Sequence, residues 1–119
     1  HPLVDQVIWA GLPSSPWYER AQKYLPKGPG AVVGFTLKDA DLEQTRTFVD
    51  ALQLHSNVAN IGDVRSLVIH PASTTHSQLS EEELEAIGVS KNFVRLSVGI
   101  ENIDDIIADL ELGFATLNA

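Results

Sequence analysis

Residues 60–101 read NIGDVRSLVIHPASTTHSQLSEEELEAIGVSKNFVRLSVGIE, and the fold turns on this run. It holds two strand-like pieces, Ser66–His70 and Phe93–Ile100, separated by a loop rich in Ser, Thr and His and by a short acidic helix. Phe93–Ile100 has the cleanest alternation in the chain. Val94, Leu96, Val98 and Ile100 point one way, and Phe93, Arg95, Ser97 and Gly99 the other, as the two-residue period of a strand requires. Ser66–His70 alternates poorly and reads as a strand covered on both faces, stopped by Pro71. Ser80 and Glu83 form a capping box that starts the acidic helix, and Gly88 ends it.

Working outward, the last segment carries Ile103, Ile106, Ile107, Leu110, Phe114 and Leu117 at helical spacing. Asp104 and Asp105 sit in its first turn, favourable at the positive end of a helix dipole. Before the run, Leu42, Thr45, Val49 and Leu52, with Phe48 beside them, trace a second amphipathic helix that Asp39 or Asp41 can cap. Asn57–Ile61 is a candidate strand fragment, and Gly62–Asp63 a turn. Ala31–Leu37 reads as a strand with Val33, Phe35 and Leu37 on one face. Its other face, Val32, Gly34 and Thr36, is slimmer and allows a close neighbour. Leu3–Gly11 reads as a strand buried on much of both faces. A short helix follows, capped at Ser15 with Pro16 in its first turn and ending near Leu25. The order β-α-β-α-(β)-β-(α)-β-α implies an α+β fold, a small mostly antiparallel sheet with helices packed on one face.

Composition narrows the function. At 119 residues this is one domain, long enough to bury about two-thirds of its unfolded surface. Hydrophobic residues make up 44% and charged residues 20%, which are globular values. The net charge of −8, with eight Lys and Arg spread thinly, argues against nucleic acid and anionic membrane partners. No apolar run approaches the roughly 20 residues of a membrane span. There is no cysteine, which fits a reducing compartment, and a cytoplasmic location is expected. The chain starts at His1–Pro2 and holds no Met, so it reads as a piece of something longer.

Arg95 is the sharpest chemical feature. A guanidinium midway along an alternating strand offers a planar fork of donors matched to a carboxylate, but it also suits a solvated or salt-bridged strand arginine. Asn60, before the Gly62–Asp63 turn, can satisfy turn backbone or present an amide to a ligand. His70 and His76 lack the further ligands of a metal site. Ser73, His76 and an aspartate lack the sequence context of a nucleophile elbow. Gly28 and Gly30 read as a turn, with no phosphate-loop lysine after them.

Asn60–Gly62, Ser66–His76 (SLVIHPASTTH) and Val94–Glu101 (VRLSVGIE) resemble the C-terminal domain of the Cys/Met-metabolism PLP-dependent enzymes. Within that family, Val58–His76 is most similar to O-acetylhomoserine sulfhydrylases, and Leu25–Leu37 agrees. The resemblance covers essentially the whole chain. It implies the C-terminal small domain of a fold-type I enzyme, with pyridoxal phosphate as electron sink in the full-length protein. It also implies replacement of the acetate of O-acetylhomoserine by sulfide or a thiol, giving homocysteine or methionine. Arg95 would grip the substrate α-carboxylate, Asn60 would assist, and Thr75 would support the site. The Schiff-base lysine belongs to the large domain of the same chain. Lys23, Lys27, Lys38 and Lys91 match no such motif, so the fragment alone is expected to be inactive and without covalent cofactor. A homo-oligomer is expected of the full-length enzyme. Methionine γ-lyase and cystathionine γ-synthase are neighbouring readings. A stand-alone amino-acid-binding regulatory module or a pure interaction domain are readings of another class.

Overall fold

The computed structural model describes residues 1–118. Five strands form one sheet: β1 (Val4–Ile8), β2 (Val32–Leu37), β3 (Ser56–Asn57), β4 (Leu67–Ile69) and β5 (Phe93–Ser97), in the order β1-β2-β5-β4-β3. All pairings are antiparallel except β3 with β4. The helices are α1 (Tyr18–Tyr24), α2 (Leu42–Asp50), α3 (Glu81–Ala86) and α4 (Ile103–Leu117), with a single 3-10 turn at Pro71–Ser73. The α+β class and mostly antiparallel sheet expected from the sequence are what the structure has.

β5 is the central strand, with β2 on one side and β4 on the other. Val94 lies opposite Phe35, and Leu96 opposite Val33 and Val68. These residues face α2 and α4, which supply Phe48, Val49 and Phe114 to the same core. Phe48 sits edge-on to both Phe35 (centroids 6.0 Å apart) and Phe114 (5.0 Å). Such contacts add about 0.5–1.5 kcal/mol each beyond the area they bury. β4 is buried at all three residues, as its lack of alternation implies.

The expected capping box of α3 forms, and the expected cap of α2 turns out to be a box as well. Asp41, not Asp39, caps α2 with Gln44 answering back, and Ser80 caps α3 with Glu83. Asp39 instead takes a left-handed backbone, φ 54°. Gly88, at φ 78°, ends α3. The slim face of β2 has its close neighbour: a Cβ on Gly34 would stand 2.6 Å from the Phe93 ring.

Four local expectations need correction. β1 is an edge strand rather than a doubly buried one, and Val7 and Ile8 are about half exposed, because β1 pairs with β2 alone. α1 starts two residues after Pro16; the Ser15 hydroxyl accepts from the Trp17 N–H in the turn ahead of it. β5 ends at Ser97, so Ile100 lies beyond the sheet and is 83% exposed. The buried stripe of α4 is Ile106, Asp109, Gly113 and Phe114, while Ile103 and Ile107 face out. Gly113 allows this rotation, since a Cβ there would come within 2.6 Å of the Phe48 ring.

Asp109 explains the rest of that rotation. Its buried carboxylate accepts from the backbone N–H of Gln53 (2.7 Å), Leu54 (2.9 Å) and His55 (3.0 Å), and from the His55 ring Nδ1 (2.6 Å). The loop between α2 and β3 is thereby tied to α4. Burial pushes the Asp109 carboxyl up, but the His55 ring and the three N–H groups outweigh it and hold the group below the ordinary carboxylate value. Asp109→Ala leaves a buried ring and three donors without an acceptor. It is expected to lower the unfolding free energy of the chain by about 3–5 kcal/mol in urea titrations. A loss under about 1 kcal/mol would show that the loop finds other partners.

Candidate functional site

Arg95 occupies the middle of the central strand, cross-strand from Gly34 on β2 and Ile69 on β4. The core claims Val94 and Leu96, so the strand period turns Arg95 to the opposite face. Gly34 contributes no side chain beside it, and the Phe93 ring lies over that glycine. The guanidinium is under-satisfied. Its Nε is buried without a partner, and Nη2 donates to the Asn60 carbonyl at 3.4 Å, a long bond. Arg95 joins no ion pair among the described residues. A half-buried cation with donors to spare fits an incoming anion, and the fork geometry favours a carboxylate.

Asn60 comes from the loop between β3 and β4. Its side-chain Oδ1 accepts from the Ile61 N–H at 2.9 Å, and its backbone carbonyl faces Arg95. The turn role is filled by the side-chain oxygen, and the main-chain carbonyl touches the guanidinium. Gly62, at φ 80°, and Asp63, accepting from the Arg65 N–H at 3.0 Å, complete the turn. Thr75 is exposed, with its hydroxyl 2.8 Å from His76 Nδ1. The structure thus brings Arg95 and Asn60 together, while Thr75 bonds to its neighbour instead of to either of them.

The histidines and serines of the loop have structural partners. His70 is buried, with Nε2 2.6 Å from the Lys91 carbonyl, so that nitrogen carries the proton. Its Nδ1 then accepts from the Ser73 hydroxyl at 2.9 Å. Ser73 is committed to His70, not His76, which removes the imagined Ser73–His76 pairing. No cluster of three or more metal-ligating side chains exists among the described residues. A polar cleft of about 170 Å³ near α2 is lined by Arg46, Asp50, Asn57, His70, Ser73 and Thr74, not by Arg95.

Sequence reasoning missed one set of residues beside the site. Ser66 donates its N–H to Glu101 Oε2 (2.8 Å) and its hydroxyl to Glu101 Oε1 (2.7 Å). The same hydroxyl accepts from the Gly99 N–H at 2.9 Å. These residues lie within the quoted run, but only the fold brings Ser66 to Glu101. Exposed Val58, Ile61, Val64 and Ile100 lie in the Asn60 loop and at the end of β5.

His70 is protonated less readily than an ordinary histidine, because burial disfavours the cation more than the Lys91 carbonyl favours it. Below about pH 6.5 the unfolded chain then binds a proton that the folded chain refuses. Stability contributed by neutral His70 is full above that pH and declines as pH falls toward the folded value. Urea midpoints between pH 8 and pH 5 are expected to fall more steeply for the wild-type chain than for His70→Asn. Parallel slopes would contradict a buried neutral ring.

The family model described as Cys/Met metabolism PLP-dependent enzyme matches residues 1–115. An O-acetyl-L-homoserine sulfhydrylase of Corynebacterium glutamicum is 56% identical over 98% of this chain, covering 26% of that protein's length. A Campylobacter jejuni structure, provisionally identified as an O-acetylhomoserine (thiol)-lyase and carrying N′-pyridoxyl-lysine-5′-monophosphate, superposes with a TM-score of 0.86. It is 45% identical, over 97% of this chain and 27% of its own. A cystathionine γ-synthase of Xanthomonas oryzae solved with cystathionine superposes with a TM-score of 0.85 at 36% identity, over 99% of this chain and 30% of its own. The chain spans about a quarter of the length of the curated relatives it matches. It belongs to the Cys/Met metabolism family of PLP-dependent enzymes.

Proposed function

We propose, from that membership, that this chain is the C-terminal, substrate-carboxylate-binding domain of an O-acetylhomoserine sulfhydrylase. The observation that carries the reading is the under-satisfied Arg95 guanidinium on the sheet face opposite the core. The reaction would exchange the acetate of O-acetylhomoserine for sulfide or a thiol. Identity of 56% to the Corynebacterium glutamicum sulfhydrylase, against 36% to the Xanthomonas oryzae cystathionine γ-synthase, favours this member of the family.

The chain's own residues fit no pyridoxal phosphate site. All four lysines are exposed; Lys91 lies 3.6 Å from Glu81 and Lys23 over the Tyr24 ring. The cofactor, held by the rest of the longer protein, supplies the electron sink. This chain contributes recognition and orientation. Arg95 pairs its fork with the α-carboxylate, and the strand backbone holds the guanidinium in place without a flexible loop. The Asn60 carbonyl contacts Nη2 at 3.4 Å, the Asn60 side-chain amide donates toward the carboxylate, and Thr75, its hydroxyl 2.8 Å from His76 Nδ1, supports the site from the loop after β4. The exposed apolar residues around the loop, Val58, Ile61, Val64 and Ile100, suit contact with the large domain. No described helix is long and apolar enough to cross a membrane.

In the full-length enzyme, Arg95→Lys is expected to cost about 1.5–3 kcal/mol of substrate binding, since an ammonium cannot make the fork. This should read as a raised KM for the amino-acid substrate at constant thiol. An unchanged KM removes the carboxylate role.

A further inference from the structure

Arg95 and Asn60 meet through one bond of 3.4 Å, so their alignment is not held by that bond. Something else must fix the Asn60 loop. At its front end, β3 pairs with β4 through Asn57 and Val68. At its rear end, Ser66 is fully buried where the loop enters β4, and every polar atom placed there is engaged. Glu101 takes two donors from Ser66 at 2.7–2.8 Å, and the Ser66 hydroxyl takes the Gly99 N–H. The Val64 carbonyl accepts from the Ile100 N–H at 3.0 Å. Gly99 is required by this closeness, since a Cβ there would collide with the Val64 carbonyl oxygen. Gly99 follows Arg95 by four residues, so the loop is fastened to the extension of the strand that carries the guanidinium.

We propose that Ser66, Gly99 and Glu101 form a latch that positions the Asn60 loop against Arg95, making Ser66 and Glu101 positioning residues for carboxylate recognition. The proposal rests on Arg95 being the carboxylate site. Charge-assisted bonds shorter than 2.9 Å are the strong ones in this neighbourhood, and the Arg95–Asn60 bond is the weak one they support. Both oxygens of the Glu101 carboxylate are occupied by Ser66. The same two donors hold the Glu101 carboxyl below the ordinary value, so it stays an acceptor at neutral pH.

The test uses the full-length enzyme and two competitive inhibitors that differ only in the carboxylate, L-2-aminobutyrate and propylamine. Ser66→Ala and Glu101→Ala are each expected to raise the inhibition constant of the amino acid about tenfold and to leave that of the amine unchanged. The double variant should be no worse than either single one, as for two parts of one device. Should an alanine variant fail to accumulate, Glu101→Gln carries the same comparison with a smaller shift. Equal movement of both inhibitors, or of neither, while Arg95→Lys still weakens only the amino acid, overturns the latch and spares the carboxylate site. If Arg95→Lys also leaves the two inhibitors in their wild-type ratio, the carboxylate reading itself fails and the latch with it.

Discussion

One strand sets the terms for everything else. β5 is paired on both edges, and two of its residues, Val94 and Leu96, are almost wholly removed from water. With those two in the core, the period of two leaves no freedom for Arg95. A slip of one residue would carry the guanidinium into a core of Phe, Leu and Val and expose the valine and leucine in its place. A buried charge without a partner costs several kcal/mol, so the register is strongly specified. Core packing and the proposed carboxylate recognition are therefore one constraint seen from the two faces of a single strand.

Around that strand, two acidic residues organise the irregular backbone. Asp109 gathers three N–H groups and a ring from the α2–β3 loop onto α4, and Glu101 gathers both donors of Ser66 where the next loop rejoins the sheet. The physics is shared: a carboxylate accepts several bonds at once, and backbone donors near a core must be met. The settings differ. Asp109 is buried and ties two elements of the fold together, whereas Glu101 binds Ser66 at the rear end of the loop that carries Asn60, the contact proposed to position that loop.

Much of this was legible in the sequence because it is local. Alternation placed Arg95; an aspartate cap, the Ser80–Glu83 capping box and Gly88 placed helix ends; the absence of alternation in Ser66–His70 foretold a strand covered on both faces. What was not legible is non-local. Apolar Val7, Ile8, Ile103 and Ile107 read as core, yet a hydrophobic residue does not state whether this chain holds its partner. Asp109 carried no signal in the sequence, since its four donors come from residues more than fifty positions away. Resemblance gave Asn60 a part in substrate binding; that its backbone carbonyl meets the Arg95 guanidinium needed the fold. The Ser66–Glu101 pairing spans thirty-five positions and leaves no periodic trace.

The central claim is that the Arg95 face receives the α-carboxylate of an amino acid. It is tested most directly by a crystal structure of the full-length enzyme with an unreactive amino acid such as L-2-aminobutyrate bound. The account predicts the carboxylate in a two-pronged pairing with the Arg95 guanidinium, with the Asn60 carbonyl still in contact. A carboxylate held by other residues, with Arg95 turned to solvent or to an acidic side chain, would contradict it.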